Sequence, residues 1–122
     1  MQLTHIGMVV KDCEKSSSFY TRVLGCEKSG EYQDEKMKFV FLDFKGQSIE
    51  LIQYLAGETT PRLPGPLDHI AVEVKDIDKE IARLKEMGVE LLAEAPREVL
   101  NGKKIIFLAG PDGERIELVQ EP

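Results

Sequence analysis

Short stretches in which hydrophobic and polar positions alternate recur along the whole chain. This period-two pattern is typical of β-strands with one buried face, because successive side chains of a strand point to opposite sides. Ile6, Met8 and Val10 form the first such set. The pattern predicts eight strands, at about residues 3–10, 27–33, 37–44, 47–54, 68–74, 89–94, 103–108 and 115–120.

Two other segments, at about residues 13–24 and 77–87, have the hydrophobic spacing of an amphipathic helix. An aspartate precedes each segment, where a carboxylate accepts the free amide hydrogens of a first turn, and a glycine follows it, where a left-handed residue is favoured. These residues are Asp12 and Asp76, and Gly25 and Gly88. The apolar stripes are Phe19, Tyr20, Val23 and Leu24 in the first helix, and Ile77, Ile81, Leu84 and Met87 in the second.

The chain also contains an internal repeat. The segment from His5 to Asp12 returns 64 residues later, and the segment from Gly46 to Gln53 returns 67 residues later as Gly113 to Gln120. Each half has the order βαβββ. The repeat therefore predicts an α+β fold of two tandem βαβββ modules, with mixed sheets curling around a concave metal site.

The expected modules lie at about residues 1–55 and 67–122, within a single domain, 1–122, since 122 residues suffice for one sizeable core. The stretch between them, at about 55–66, contains three of the six prolines and is expected to be a linker. Asn101-Gly102 and Asp112-Gly113 are strong turn signals in the second module.

One histidine and one glutamate occupy equivalent positions in each module: His5 with Glu50, and His69 with Glu117. Strand alternation places all four opposite the apolar side chains that must cover the helices. Taken singly, such a glutamate is ordinarily solvent-facing, and such a histidine is a hydrogen-bonded surface or core residue. If the modules pack around a pseudo-twofold axis, the four converge. Two imidazoles and two carboxylates suit one divalent ion such as Ni, Co, Zn, Mn or Fe.

The net charge and the length of the apolar runs argue against two kinds of partner, nucleic acid and membranes. The net charge of −6 argues against nucleic acid as a partner, because phosphates need clustered Lys and Arg. It argues against an anionic membrane surface for the same reason, and no apolar run reaches the roughly 20 residues of a spanning helix. Cys13 and Cys26 lack CxxC spacing and are expected to be reduced thiols of a cytoplasmic protein, with no secretory leader before the first strand.

Several motifs together resemble the vicinal oxygen chelate superfamily, also called the glyoxalase/bleomycin resistance/dioxygenase family, over essentially the whole chain. The motifs are the first strand with His5, Phe19-Tyr20 followed by Val23-Leu24-Gly25, Asp68-His69-Ile70-Ala71, and Asp112-Gly113 leading to Ile116-Glu117-Leu118. Within the family, a His, Glu, His, Glu quartet resembles glyoxalase I (lactoylglutathione lyase). That enzyme isomerises the hemithioacetal of methylglyoxal and a thiol to an S-lactoyl thioester.

The resemblance implies a metalloenzyme that takes a proton from a carbon next to a carbonyl. Its metal would be Ni, Co or Zn, with Mn or Fe as alternatives, held by His5, Glu50, His69 and Glu117. Glu117 would be the principal base, with Glu50 serving on the opposite face. The partners implied are a small-molecule substrate and a second copy in a homodimer, with the site built within one chain or across the two.

Other activities stay open. Where short bacterial glyoxalase I enzymes have a glutathione-contacting Arg and an Asn, this chain has Val9 and Tyr54, so the thiol is not specified. Alternatives are an epimerase, a thiol transfer to an epoxide antibiotic, or a non-catalytic small-molecule-binding or resistance protein. A ring-cleaving dioxygenase is disfavoured because Glu50 would fill a position that dioxygen needs. An anionic group could be held by Arg97, Lys103 and Lys104 near the Asn101-Gly102 loop, which is otherwise a solvated turn.

Overall fold

The computed structural model describes residues 1, 3–57, 66–99 and 102–122. By its internal contacts the chain divides into two compact units, a first unit, Met1–Pro61, and a second unit, Arg62–Pro122. The elements of the first unit are β1 (His5–Val9), α1 (Cys13–Leu24), β2 (Glu27–Gln33), β3 (Met37–Phe44) and β4 (Gln47–Tyr54). Those of the second are β5 (His69–Glu73), α2 (Ile77–Glu86), β6 (Arg97–Val99), β7 (Lys103–Ala109) and β8 (Arg115–Gln120).

Each unit forms one four-stranded mixed sheet with the same topology. The strand order is β1-β4-β3-β2 in the first unit and β5-β8-β7-β6 in the second. The opening strand of each unit runs parallel to the closing strand, and the remaining pairs are antiparallel. These features confirm the predicted α+β fold and its two βαβββ modules, whereas their grouping as a single domain stays a prediction.

Both helices begin as the sequence predicts, and α1 also ends as predicted, whereas α2 ends at Glu86, one residue before its predicted end, with Met87 as its C-cap. The Asp12 carboxylate accepts from the amides of Glu14 and Lys15, and the Asp76 carboxylate accepts from the amide of Lys79 at 3.1 Å. A cap of this kind contributes about 1 kcal/mol to stability. At the other ends, Gly25 and Gly88 have φ of 75° and 72°, a left-handed conformation in which a residue with a Cβ is strained.

A glutamine in the closing strand of each unit supplies a second connection to the helix start. The Gln53 side-chain oxygen accepts from the Cys13 amide at 2.9 Å, and the Gln120 oxygen accepts from the Ile77 amide at 2.8 Å. These glutamines are the last residues of the repeated segment. They tie the first turn of each helix to the strand that carries Glu50 or Glu117, and so fix one against the other.

The core of each unit lies between its helix and one face of its sheet. Strand alternation is confirmed, because the residues on either side of Glu50 and of Glu117 are buried: Ile49, Leu51, Ile116 and Leu118. Helix α1 differs from expectation in part. Tyr20 and Val23 are buried as predicted, but Ser16 and Ser17 complete the buried face while Phe19 and Leu24 are only half-buried.

The strand predicted at 89–94 is wrong. Of that segment only Leu91 forms a β-bridge, to Leu108, and the strand of this part of the unit is β6, at Arg97–Val99. Two backbone hydrogen bonds, from Leu92 to Phe107 and from Ala109 to Glu90, hold the segment beside β7. The chain then bends through 92–95 before Pro96, whose missing amide hydrogen keeps it out of a regular ladder.

Two further expectations fall partly on residues outside the described ranges. Residues 58–65 of the expected linker and Asn101 of the Asn101-Gly102 turn are not described. The Asp112-Gly113 turn is confirmed, since Gly113 has φ of 81° and its amide donates to the Gly110 carbonyl at 3.0 Å. Among the described residues, no helix is long and apolar enough to cross a membrane.

Candidate metal centre

Strands β1 and β4 bring His5 and Glu50 together in the first unit. In their parallel register Gly7 lies opposite Glu50, so the pair is separated by a residue without a side chain. The imidazole two residues before Gly7 extends over this gap, and its Nε2 lies 3.2 Å from Oε2 of Glu50. A Cβ at Gly7 would meet the Ile52 side chain at 3.5 Å, an ordinary van der Waals distance, so a small residue at this position is compatible with the contact.

Strands β5 and β8 repeat this arrangement in the second unit. Ala71 lies opposite Glu117, and Nε2 of His69 lies 2.9 Å from Oε2 of Glu117. Both glutamate side chains are largely buried, at 17% exposed for Glu50 and 14% for Glu117. Each unit thus presents one imidazole nitrogen and one carboxylate oxygen side by side on the sheet face opposite its helix.

The separation of these atoms fits donors that share a cation. Ligand atoms bonded to one ion at about 2.1 Å lie about 3.0–3.4 Å apart in octahedral or tetrahedral coordination. A neutral imidazole that carries its hydrogen on Nδ1 has a lone pair on Nε2, so Nε2 and a carboxylate oxygen repel unless a proton or a metal ion lies between them. The donor set of mixed nitrogen and oxygen therefore fits a divalent transition ion.

Further contacts surround His69. Its Nδ1 lies 2.7 Å from Oδ2 of Asp68, and Nη1 of Arg115 donates to the same oxygen at 2.9 Å. The Arg115 guanidinium stacks on Phe107 at 4.3 Å from the ring centroid, and Phe107 meets the His69 ring edge-to-face at 5.2 Å. The His69 contact, followed by the Arg115 charge, holds the pKa of the Asp68 carboxyl below its usual value. We call Asp68, Phe107 and Arg115 the Asp68 cluster.

The surroundings of His5 are different. Its Nδ1 lies 3.1 Å from the hydroxyl of Thr4, the residue equivalent to Asp68. On the same sheet face as Glu50, Phe41 stacks on Phe39 with nearly parallel rings. The ring centroids of Phe39 and Tyr32 lie 6.1 Å apart. The first pair therefore has an aromatic surface beside it, whereas the second has a charged cluster.

The structure brings the four predicted ligands together as two pairs. Across the described ranges, no group of three or more His, Cys, Asp or Glu side chains is arranged to hold a metal ion. One pair supplies two donors, which is fewer than the four of a typical zinc site. Convergence of His5, Glu50, His69 and Glu117 on one ion stays a prediction.

The roles of Asp68 and Arg115 were missed by the sequence reasoning. Both lie where the two repeats differ, since the equivalent residues of the first unit are Thr4 and Ser48. The sequence signal for Asp68 and Arg115 is that each differs from the equivalent residue of the other repeat.

The three basic residues that were expected to hold an anionic group lie in strands and not in a loop. Arg97 lies in β6, and Lys103 and Lys104 lie in β7. The register places Lys104 opposite Glu98, on the other face from Arg97 and Lys103, because neighbouring residues of a strand alternate sides. Lys103 is also ion-paired with Glu121 at 3.1 Å.

The two thiols lie apart from the candidate ligands in the packed interior. Cys13 and Cys26 are both free and buried. Burial raises the pKa of Cys13 to about 11 and that of Cys26 to about 12. At neutral pH they are therefore protonated and unreactive, since the thiolate is the form that acts as nucleophile and metal ligand.

Comparison with known proteins places this geometry in a family. Residues 4–107 match the sequence profile of the glyoxalase/bleomycin resistance protein/dioxygenase superfamily. The chain is 32% identical over 130 residues to mitochondrial methylmalonyl-CoA epimerase of Bos taurus, covering 98% of this chain and 74% of that protein. It is 30% identical over 126 residues to lactoylglutathione lyase of Neisseria meningitidis, covering 99% and 91%.

A solved structure agrees with the sequence comparisons. Trypanothione-dependent glyoxalase I of Leishmania major has a TM-score of 0.82 and 27% identity to this chain, covering 99% of this chain and 87% of that one. The likeness extends over both βαβββ units, and the profile match spans most of the sequence. The chain therefore belongs to the glyoxalase/bleomycin resistance protein/dioxygenase superfamily.

Proposed function

We propose that this protein is a metal-dependent isomerase or lyase of glyoxalase I type, in which His5, Glu50, His69 and Glu117 hold one divalent ion. The ion is Ni, Co or Zn, with Mn or Fe as alternatives. The observation that carries the proposal is the repeated imidazole–carboxylate pair, with Nε2 to Oε2 distances of 3.2 and 2.9 Å at equivalent positions of the two units. Both pairs are built in the same parallel register, with Gly7 opposite Glu50 and Ala71 opposite Glu117.

The reaction transfers a proton between neighbouring carbons of an α-hydroxycarbonyl or hemithioacetal, while the hydroxyl proton moves to the former carbonyl oxygen. Removing the carbon-bound proton creates an enediolate, whose developing negative charge is the main barrier. An ion held by the four residues would act as a Lewis acid that stabilises this charge, an effect of several kcal/mol. The chain itself must bind the substrate, exclude water and supply a base.

Glu117 is proposed as that base, by similarity to the family. Its carboxylate accepts the proton from the first carbon and returns it to the neighbouring carbon, so that no proton is lost to solvent. The largely buried position of Glu117 supports this role, because a base shielded from water retains the proton that it has removed. Glu50, in the equivalent position of the first unit, is proposed to act on the opposite face of the substrate.

The thiol of the substrate need not be glutathione. Val9 and Tyr54 stand where short bacterial glyoxalase I enzymes have an Arg and an Asn for that tripeptide. Loss of a charged partner for a carboxylate weakens binding substantially. The aromatic row Phe41, Phe39 and Tyr32 beside the first pair is better suited to an apolar part of a substrate.

An epimerase is the second candidate, and the relation to bovine methylmalonyl-CoA epimerase at 32% identity favours it. Epimerisation uses the same proton removal next to a carbonyl but returns the proton to the same carbon. Glu50 separates the two candidates, because a His, Glu, His, Glu quartet resembles glyoxalase I within the family. Thiol transfer to an epoxide antibiotic and non-catalytic binding are the remaining family alternatives.

A homodimer in the cytoplasm is the expected state of the protein. Several large apolar side chains are exposed in the single chain, notably Leu3 at 80% and Leu67 at 75%, and a second copy would cover such surface. The free thiols of Cys13 and Cys26 suit a reducing compartment. Sedimentation equilibrium tests the dimer, which a single species of 13.7 kDa would exclude.

The direct test of function is turnover of methylglyoxal hemithioacetals formed with several thiols, by apo protein and by protein reconstituted with each metal. We expect activity only with metal, and with at least one thiol. Methylmalonyl-CoA is assayed in parallel, because epimerisation without isomerisation would favour the second candidate. No turnover with any thiol, metal or thioester would remove the catalytic proposal and favour a binding protein.

A further inference from the structure

Both ring nitrogens of His69 face carboxylate oxygens, with Nδ1 2.7 Å from Asp68 and Nε2 2.9 Å from Glu117. An ionised carboxylate only accepts hydrogen bonds, so both contacts call for an imidazole hydrogen, one on Nδ1 and one on Nε2. When a metal ion takes the place of the hydrogen on Nε2, the hydrogen of the neutral imidazole is on Nδ1, where Asp68 accepts it. This is the tautomer that a histidine needs in order to bind a metal through Nε2.

The Asp68 carboxylate is itself held in place. Nη1 of Arg115 donates to the oxygen that faces His69, and the Arg115 guanidinium lies flat on Phe107. Phe107 in turn meets the imidazole edge-to-face, so the cluster contacts His69 on two sides. Ion pairs as exposed as this one contribute little to folding stability, which makes orientation of His69 the better account of the arrangement.

The first unit lacks this control over its histidine. Thr4 faces Nδ1 of His5 with a hydroxyl, which both donates and accepts, so the contact is compatible with either tautomer. Ser48, at the position equivalent to Arg115, carries no charge. Thr4 is therefore a matched internal control for Asp68.

We propose that Asp68 is a positioning residue: held by Arg115, it fixes His69 in the Nδ1–H tautomer and presents Nε2 as a preorganised metal ligand. This inference rests on the proposed function in that it takes His69 as a ligand. Carboxylates behind metal-bound histidines act in this way in general, and their loss typically weakens metal affinity by about 10–100-fold.

The first test reads which ring nitrogens carry a hydrogen, in metal-free protein, by two-bond ¹H–¹⁵N NMR correlation of the two imidazoles. Wild type is expected to show a hydrogen on Nδ1 of His69, accepted by Asp68. Asp68→Ala should shift His69 towards the Nε2–H form while the His5 signals stay unchanged. An identical His69 tautomer in wild type and Asp68→Ala would overturn the proposal, whatever the activity of the protein.

The second test measures zinc affinity by competition with a chelator. Asp68→Ala should bind zinc about 10–100-fold more weakly than wild type, and Asp68→Glu, which restores the carboxylate, should recover most of the loss. Thr4→Ala should lose less than about fivefold, as expected for a neutral hydrogen bond. Asp78→Asn, which removes an exposed charge elsewhere in the second unit, should bind zinc as wild type does.

The outcomes distinguish a failure of the role proposed for Asp68 from a failure of the proposed metal site. Tight zinc binding by wild type with no loss in Asp68→Ala, or an equal loss in Thr4→Ala, would overturn the role of Asp68 and leave the proposed metal site standing. Failure of wild type to bind zinc or any other divalent ion would overturn the proposed function itself. Thermal unfolding of each variant confirms that the fold is retained, as expected for a side chain that is half exposed.

Discussion

The two units build the same imidazole–carboxylate pair in different surroundings. In the second unit, His69 is contacted by Asp68 and Phe107, and its side chain is 34% exposed. In the first unit, the described neighbours of the His5 ring nitrogens are the Thr4 hydroxyl and the Glu50 carboxylate, and the His5 side chain is 49% exposed. The strand register that creates each pair is conserved between the repeats, whereas the residues that orient the histidine are not.

The difference between the surroundings of the two pairs separates features that serve the fold from features that serve a function. Alternation, helix caps and the paired glutamines recur in both units because each module needs them to fold. The Asp68 cluster occurs once, and the aromatic row Phe41, Phe39 and Tyr32 lies beside the other pair. The surroundings of the two pairs have therefore diverged, with a charged cluster beside the second pair and an aromatic row beside the first.

The largest effect is expected from the proposed base. Glu117→Gln should lower kcat by about 10³-fold, because a general base contributes about 10²–10⁴-fold to a proton transfer. Glu50→Gln, the matched change in the first unit, should lower it less. Both rates are measured per bound metal, so that loss of the ion is not mistaken for loss of the base. Equal losses in the two variants would contradict the assignment of Glu117 as the principal base.

Removal of each histidine tests the asymmetry of metal binding. His69→Ala should abolish tight binding, with a loss of at least about 100-fold, since it removes a ligand that is already oriented. His5→Ala should lose less, because His5 must first be ordered when the ion binds. Metal content after exhaustive dialysis and chelator competition measure both. Stoichiometric metal retained by His69→Ala would refute its assignment as a ligand.

The paired glutamines should show the symmetry that the histidines lack. Gln53→Ala and Gln120→Ala each remove an acceptor from a helix start, and each should lower the free energy of unfolding by about 1 kcal/mol. Gln47→Ala, an exposed glutamine of β4, is the control and should change it very little. Urea unfolding measures all three. A large difference between Gln53→Ala and Gln120→Ala would show that the two helix starts are not equivalent.

The last expected effect is a pH dependence of stability that comes from the two thiols, which both lie in the first unit. In unfolded chains a cysteine ionises at about pH 8.5, whereas burial raises the pKa of Cys13 to about 11 and of Cys26 to about 12. The folded state therefore retains protons that the unfolded state releases. This contribution to stability is complete below about pH 8.5 and is lost as pH rises through the folded pKa values.

Urea unfolding at pH 8 and pH 10, compared between wild type and a Cys13→Ala/Cys26→Ala variant, isolates this contribution from the titration of lysines. Wild type should lose more stability between the two pH values than the variant does. Parallel pH profiles would show that the thiols are not buried in the folded protein.

Local and periodic features of this fold were predictable from the sequence. Asp12 and Asp76 were identified because capping needs only neighbouring amides, and the strands that carry Glu50 and Glu117 were identified by alternation alone. The strand expected at 89–94 failed because apolar composition does not reveal that Pro96 and the bend before it displace the ladder to Arg97–Val99.

The sequence predicted the candidate site only in part, because some of its contacts are local and others depend on the assembled sheet. The pairing of each histidine with its glutamate follows from strand register, which the repeat encodes. The Asp68 cluster does not, because it depends on residues far apart in sequence, Asp68, Phe107 and Arg115, that meet only when β5, β7 and β8 are assembled. Convergence of the two pairs on one ion depends on the arrangement of whole modules, about which periodicity carries no information.

The central claim is that one divalent ion takes an imidazole from each repeat, and X-ray absorption spectroscopy of zinc-loaded protein tests it most directly. The chain has only two histidines, so the number of imidazoles around the ion is decisive whether the site lies within one chain or across two. We predict two imidazoles together with oxygen ligands at about 2.0–2.2 Å. An ion surrounded by one imidazole or by none would contradict the account.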